Sequence, residues 1–136
     1  ERTEHAGVSR LVQELNHRYR KETPLWESDH EPGGFQWIAA NRADENVVAF
    51  LRIDLRSGAQ IYCVSNFSSV ERADLRLGLP REGRYEELLN TNDTEYGGSG
   101  LATRGAITAE SQPWDDLPYS GRFRVPPLTT IWYRVP

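Results

Sequence analysis

The first segment of the chain repeats apolar residues at helical spacing. Five apolar residues recur three or four positions apart: Val8, Leu11, Val12, Leu15 and Tyr19. Basic residues follow in the last turn, where they suit the negative end of a helix dipole. Because Pro24 disfavours the helical conformation at Thr23, the helix should end before it. The pattern predicts one amphipathic helix from Glu4 to Lys21.

After the turn residues 31–34, apolar and polar residues alternate in short runs bounded by Gly, Pro, Asn, Asp or Ser. We predict eight strands, over 35–39, 47–54, 60–66, 74–79, 85–90, 106–111, 121–125 and 129–135. The sequence Arg56-Ser57-Gly58 indicates a tight hairpin between the second and third. Since parallel strands need a crossover of a dozen or more residues, usually a helix, the runs favour an antiparallel β-sandwich.

The predicted organisation is therefore mainly β, with a helix and linker over residues 1–30 and the sandwich over residues 31–136. Six apolar strand residues are expected in the sandwich interior: Phe50, Ile61, Cys63, Leu77, Leu88 and Ile131. Trp37 and Trp132 lie in alternating runs, where a buried aromatic side chain is the common outcome.

Composition narrows the class of protein. The chain has 136 residues, 26% of them charged, and a net charge of -4 with scattered basic residues, so we expect neither nucleic acid nor membrane as partner. Cys63 is the single cysteine, which excludes a disulfide framework and favours a reducing cytoplasm. The chain begins with Glu1 and contains no Met, as expected of an excised or processed segment.

Candidate catalytic groups are poorly arranged. Glu86 and Glu87 would point to opposite faces of a strand, and Asp115-Asp116 lies in a loop flanked by proline, so neither pair suits a glycosidase. Three isolated histidines have no spacing typical of a metal site. We predict no catalytic residue, no metal site and no cofactor within this sequence.

Two exposed aromatic candidates and one loop segment are predicted to have binding or structural roles. Trp114, in a polar loop, and Tyr96 are the candidate aromatic platforms for a sugar ring. The second feature is a segment rich in Asn, Asp and Gly, which tolerates positive φ and bonds its own backbone. Its predicted structural-loop residues are Asn90, Thr91, Asp93, Tyr96, Gly97, Gly98 and Ser99.

Four stretches, taken together in this order and spacing, carry a family resemblance. They are Gly34-Phe35-Gln36-Trp37-Ile38, Asn46-Val47-Val48-Ala49-Phe50-Leu51-Arg52, Asn90-Thr91-Asn92-Asp93 and Tyr96-Gly97-Gly98-Ser99-Gly100. They resemble the carboxy-terminal part of glycogen branching enzymes, in the alpha-amylase superfamily. Cys63 and Ser65 depart from a strand commonly richer in Val, and Asn92 interrupts the more usual Asn-Thr-Asp.

The resemblance implies a parent enzyme that cleaves an alpha-1,4-glucan, holds the chain covalently and transfers it to a 6-hydroxyl with retention. It implies that the 4–21 helix is the last helix of a catalytic (β/α)8 barrel and that the catalytic residues stand upstream. The remaining chain would be the all-beta domain that follows the barrel, with the barrel as its partner.

Three functions stay open at this point. The segment could support barrel stability, or it could be a carbohydrate-binding module that holds glucan through Trp114 and Tyr96. A self-contained small enzyme would need convergent acid and base groups that the sequence does not offer. An apolar helix stripe without its barrel should also seek another surface, so we expect residues 4–21 either to dock on the sandwich or to mediate self-association with a second copy.

Overall fold

The structure, a computed structural model, describes residues 3–136, and this part of the chain contains one α-helix followed by eight strands. Helix α1 spans Thr3–Lys21, one residue longer at its start than predicted. The strands are β1 Phe35–Trp37, β2 Val47–Ile53, β3 Gln60–Asn66, β4 Arg72–Leu79, β5 Arg84–Asn90, β6 Ile107–Thr108, β7 Tyr119–Val125 and β8 Thr129–Arg134. Short 3₁₀ turns connect several of these elements.

Every pair of neighbouring strands is antiparallel, and the strands form two sheets. The large sheet has the order β1-β2-β3-β8-β5-β6, and the small sheet consists of β4 and β7. The mainly β, antiparallel sandwich with one N-terminal helix is thus confirmed. The predicted sixth strand is shorter than expected, because pairing with β5 is limited to Ile107 and Thr108.

The core lies between the two sheets and is rich in aromatic rings. Phe123 of β7 stacks on Tyr62 of β3 with ring centroids 5.6 Å apart, and Tyr133 meets Phe123 edge to face at 5.4 Å. The Tyr62 hydroxyl donates to the Gly78 carbonyl oxygen at 2.9 Å, which joins the sheets directly. Such offset and edge-to-face pairs stabilise beyond the area they bury.

The predicted interior was only partly right. Leu77 and Ile131 lie between the sheets, whereas Ile61 and Cys63 are buried on the opposite, outer face of the large sheet. Phe50 and Leu88 are half-buried on that same outer face. The cause is that β3 is apolar on both faces, so alternation alone does not show which face meets the small sheet.

The two tryptophans expected in the core are also placed on the outer face. Trp132 is half-buried there, and Trp37 is 56% exposed, so the prediction of a buried Trp37 was wrong. Strand β1 is the edge strand of the large sheet, and an edge strand receives neighbours on one side alone.

Candidate functional site

A row of apolar side chains crosses the outer face of the large sheet. Trp37 pairs with Phe50, Phe50 with Cys63, and Cys63 with Trp132, so these four side chains share one face of four successive strands. Leu25, in the 3₁₀ turn Thr23–Leu25, packs over this row. We call this surface the apolar face.

An exposed aromatic cluster lies at the β1 end of the apolar face. Phe35 stacks on Phe50 with centroids 5.0 Å apart, and Trp37 meets Phe35 edge to face at 4.9 Å. Contiguous exposed apolar surface of this kind is typical of an interaction site in a protein.

Helix α1 adds a second apolar surface. Val8, Val12 and Tyr19, from the predicted stripe, are largely exposed, whereas Leu11 and Leu15 are half-buried. A groove of about 440 Å³ lined by Tyr19, Arg20 and Trp26 continues this surface beyond the helix end. The helix therefore contacts its own domain along one side and leaves three large apolar residues uncovered.

The loop after β5 receives the helix. An alanine in place of Gly7 would put its Cβ 2.7 Å from the backbone carbon and oxygen of Tyr96. Arg10 Nη1 donates weakly to the Glu95 carbonyl oxygen at 3.5 Å. Gly7 is thus a close-approach position that sequence analysis missed, because its partner lies 89 positions away and a single helical glycine gives no signal of it.

Hydrogen bonds within the loop hold it in one shape. The Asn92 side chain accepts from the Ser99 backbone N–H at 3.1 Å, and the Gly98 N–H donates to the Asp93 carbonyl oxygen at 3.1 Å. Asn90 Oδ1 accepts from the Asn92 N–H at 2.9 Å. Gly97 has a φ of 87°, a left-handed conformation that favours glycine.

The remaining loop residues connect it to the sheet and to the helix. Thr91 exchanges two hydrogen bonds with Thr130 of β8, at 3.1 and 3.0 Å. Tyr96 is half-buried beside α1 rather than presented as an open platform. Of the predicted loop residues, Tyr96 and Gly97 lie against the helix at Gly7, whereas Thr91 bonds to β8 and Ser99 bonds within the loop.

A polar cavity of about 270 Å³ lies between α1 and this loop. Four carboxylates and one arginine line it, namely Glu14, Glu87, Asp93, Glu95 and Arg18, together with Tyr96. Arg18 pairs with Glu14 at 2.7 Å. We call this contact between α1 and the loop the helix junction.

Burial raises the pKa values of three acidic groups at the helix junction. Burial raises the pKa of Glu87, although the Thr103 hydroxyl, which donates to its carboxylate at 2.7 Å, opposes the rise. Burial and then the charge of Glu95 raise the pKa of Asp93. Burial, with the charges of Glu95 and Glu14, raises the pKa of Tyr96 to about 12.

An ion pair and side-chain hydrogen bonds fix the segment that follows the C-terminal end of the helix. Arg134 Nη2 of β8 donates to the buried carboxylate of Glu22 at 2.7 Å. Thr23 Oγ1 donates to Asp54 Oδ2 at 2.6 Å, and the Ser57 hydroxyl donates to the same oxygen at 2.6 Å. These hydrogen bonds, led by that of Ser57, lower the pKa of Asp54 strongly.

Trp114 lies elsewhere, in a hairpin beside the small sheet, and is 39% exposed. The structure therefore does not bring Trp114 and Tyr96 together. Among residues 3–136, no three His, Cys, Asp or Glu side chains are grouped as a metal site would require. No helix in this described range is long and apolar enough to span a membrane.

Comparison with known proteins assigns this architecture. Residues 37–136 match the family described as alpha amylase, C-terminal all-beta domain. The chain belongs to this family. The matched range contains all of β2 to β8 and begins at the exposed Trp37 of the apolar face. The helix and the turn that follows it precede the match.

Curated relatives extend the likeness to nearly the whole chain. The 1,4-alpha-glucan branching enzymes GlgB of Myxococcus xanthus, Rhodococcus jostii and Kitasatospora aureofaciens are 42%, 44% and 45% identical over 95%, 94% and 96% of it. The chain spans 18%, 17% and 17% of those relatives' lengths. A solved trehalulose synthase from Pseudomonas mesoacidophila matches 92% of this chain. The match covers 19% of that protein, at 18% identity and a TM-score of 0.41.

Proposed function

We propose that this chain is the C-terminal part of a 1,4-alpha-glucan branching enzyme and that its β domain is an accessory unit of the catalytic barrel. The parent would cleave alpha-1,4-glucan and transfer the chain to a 6-hydroxyl as a branch, as a retaining hexosyltransferase in glycogen biosynthesis. The catalytic residues would belong to the barrel upstream. The names of the relatives and their 42–45% identity support this assignment.

The observation that carries the accessory role is the uncovered apolar side of α1. Val8 is 59% exposed, and Val12 and Tyr19 lie on the same stripe, although the opposite side of the helix is seated on the loop. Covering such side chains fully would contribute about 1.5 to 3 kcal/mol each. A barrel that uses α1 as its last helix would supply the missing cover.

The β domain contributes a fixed position for that helix. Gly7 allows the helix to approach the Tyr96 backbone closely, and the Glu22–Arg134 pair anchors its other end. The domain would therefore hold the last barrel helix at both ends and raise the stability of the barrel without touching the reacting sugar. The buried, unpaired thiol of Cys63 supports the further expectation of a reducing, cytoplasmic location.

A chimaera tests this role. The corresponding segment of the Myxococcus xanthus relative is replaced by this chain, and branching activity and thermal midpoint are measured. We expect an active chimaera whose midpoint falls when Val8 is changed to Asp, since the charge would enter the barrel contact. Val70→Asp is the matched control, because Val70 is also 59% exposed but lies in the β3–β4 loop.

The outcomes separate the alternatives. Equal midpoints for Val8→Asp and the unchanged chimaera would contradict the accessory role. The isolated chain offers a second check, because the same stripe should then pair with a second copy, and Val12→Glu with Tyr19→Glu should return it to a monomer in sedimentation equilibrium. A wild-type chain that is monomeric at high concentration would contradict self-association.

A further inference from the structure

The large and small sheets come into contact at one point and then separate. Glu110, which follows β6, and Ser120 of β7 exchange backbone hydrogen bonds at 2.8 and 3.1 Å. Thr108 and Arg122 would be the next hydrogen-bonded pair in this register, but within residues 3–136 no bridge joins them. A groove of about 260 Å³ opens instead, and Arg104, Thr108, Glu110 and Arg122 are among its lining residues. We call it the β6–β7 groove.

The backbone of Arg122 faces this groove. In an antiparallel pair, positions whose backbone groups bond to the partner strand alternate with positions whose groups point away from it. Ser120 bonds away from β4, to Glu110, so Arg122, two positions further along β7, also directs its N–H and carbonyl groups away from β4. Arg122 therefore offers a backbone donor at the groove in addition to its guanidinium group.

Arginine side chains outnumber carboxylates around the groove. Arg104 and Arg122 share a single carboxylate, that of Asp74, at 3.4 and 3.7 Å. Arg76 stands opposite Arg122 in the β4–β7 pair and is itself paired with Glu110 at 3.1 Å. Three guanidinium groups thus meet two carboxylates, in a chain whose net charge is -4. The local excess of positive charge is therefore opposite in sign to the charge of the whole chain.

The two arginines that line the groove have donors to spare. Arg122 approaches Asp74 only to 3.7 Å, which is beyond hydrogen-bond distance, and its guanidinium group forms no hydrogen bond within residues 3–136. Arg104 Nη2 makes two long contacts, at 3.5 Å to the Ala73 carbonyl oxygen and at 3.4 Å to Asp74 Oδ1. Like charges directly opposite each other in a sheet repel, so a further anion would also relieve the pair of Arg76 and Arg122.

A tetrahedral oxyanion matches these donors. A guanidinium group presents parallel N–H donors that fit two oxygens of a phosphate, and such charge-assisted hydrogen bonds are stronger than neutral ones. A phosphate monoester has three terminal oxygens, enough for Arg104, Arg122 and the Thr108 hydroxyl to bind together. We propose that the β6–β7 groove is a binding site for the phosphate group of a small molecule.

The surrounding charges limit the ligand and its affinity. The neighbouring pairs Arg84–Glu86 and Arg124–Glu71 add no net charge, so the groove suits one phosphate group, whereas a nucleic acid needs a row of phosphate contacts.

Asp74 competes with the ligand. Its carboxylate is exposed and its contacts with Arg104 and Arg122 are long, so a phosphate group can displace it from both arginines. Glu110 is less easily displaced, because Arg76 holds it at 3.1 Å. Removing the charge of Asp74 should therefore strengthen phosphate binding.

Nuclear magnetic resonance of the whole chain at low ionic strength tests the proposal. Inorganic phosphate, glucose 6-phosphate and succinate are titrated separately, and the arginine Nε–H resonances are followed. We expect both phosphate compounds to shift the resonances of Arg104 and Arg122 to saturation. Succinate, a dianion with planar carboxylates, should bind about tenfold more weakly. Tighter binding of glucose 6-phosphate than of inorganic phosphate would assign the site to phosphorylated sugars, and the reverse order would assign it to free phosphate.

Variants locate the binding. Arg104→Gln and Arg122→Gln should each raise the dissociation constant for inorganic phosphate about tenfold, and Asp74→Asn should lower it about threefold. Arg56→Gln is the matched control, because it removes the same charge from an exposed arginine that pairs with Glu27 in the β2–β3 turn. It should leave the dissociation constant unchanged.

Three results would overturn the site: no saturable shift with either phosphate compound, unchanged binding in both Arg104→Gln and Arg122→Gln, or an equal loss in Arg56→Gln. Succinate that binds as tightly as phosphate would overturn the assignment to a phosphate group. Asp74→Asn keeps the test valid if an arginine variant fails to fold, since weaker binding in Asp74→Asn would also contradict the site. None of these results concerns the Val8 comparison in the chimaera, so the phosphate site and the accessory role stand or fall separately.

Discussion

The two outer faces of the sandwich differ in chemistry although both are built from antiparallel strands. The outer face of the large sheet carries the apolar row from Trp37 to Trp132, partly covered by Leu25. The outer face of the small sheet carries charged residues at alternate strand positions, among them Asp74, Arg76 and Arg122. A hydrophobic face needs a cover, whereas a face of paired charges can stay in water.

On each side of the sandwich, one further element packs so closely against a glycine that no side chain would fit at that position. Gly7 lets α1 contact the loop beside the large sheet, and Gly78 lets the Trp114 hairpin contact the small sheet. The first contact borders a polar cavity lined by four carboxylates and one arginine, whereas the second is stabilised by Asp115, an aspartate that accepts two hydrogen bonds. The helix should therefore detach more readily than the hairpin.

The largest effect should come from a charge placed under the apolar face. Cys63→Asp would bury a carboxylate beneath Leu25. The nearby Arg52, whose charge acts on Cys63, is already paired with Asp29, and we expect a loss of at least about 3 kcal/mol in the free energy of unfolding. Urea unfolding measures it. Cys63→Val should cost less than about 1.5 kcal/mol. Arg122→Gln, on the charged face, should change it by less than about 0.5 kcal/mol. Similar losses for Cys63→Asp and Arg122→Gln would erase the contrast.

An intermediate effect is expected from the two glycines. Gly78→Ala should destabilise the whole domain by about 1 to 3 kcal/mol, because the strand and the hairpin carbonyl cannot separate without losing the Asp115 hydrogen bonds. Gly7→Ala should instead release the helix from the loop, because the added Cβ would clash with the Tyr96 backbone. The helix itself should persist, since alanine favours the helical conformation over glycine by up to about 1 kcal/mol.

Hydrogen exchange distinguishes these two responses. For Gly7→Ala, amides of α1 should exchange faster while those of β3 and β8 keep their protection. For Gly78→Ala, protection should fall throughout the sandwich. Uniform loss of protection in both variants would show that the helix and the hairpin are equally integrated.

The smallest effect should be a pH dependence of helix docking. Glu87 and Asp93 have raised pKa values in the folded chain, so their protonation stabilises the helix junction, and this contribution is lost as pH rises through the folded pKa values. Asp54 behaves oppositely, because its lowered pKa gives stability that is present above its ordinary value of 3.8 and is lost as pH falls below it.

Helix protection should therefore be higher near the ordinary pKa of Glu87, 4.5, than at neutral pH, after correction for intrinsic exchange rates. Glu87→Gln should weaken this dependence. Asp54→Asn should remove part of the acid-induced loss of stability below pH 3.8. A helix that is better protected at neutral pH in the wild-type chain would show that the buried carboxylate charges of the cavity do not oppose docking.

Sequence periodicity predicted the helix and the strands because these depend on local alternation. It could not assign faces where both sides of a strand are apolar, as with Ile61 and Tyr62 of β3. It also missed Gly7 and Gly78, whose roles depend on residues distant in the chain. The segment around Gly97 was correctly expected to contain positive φ, since adjacent glycines are a local signal of it.

Cys63 gives the chain a chemical reporter of its own opening. Its thiol is buried with Leu25 and Ile61, and burial raises its pKa to about 12, so little of it is thiolate at neutral pH. An alkylating reagent should therefore modify Cys63 only when the Thr23–Leu25 turn lifts or the sheet unfolds. The rate of modification would follow the detachment of the segment that links α1 to the sandwich, without any engineered probe.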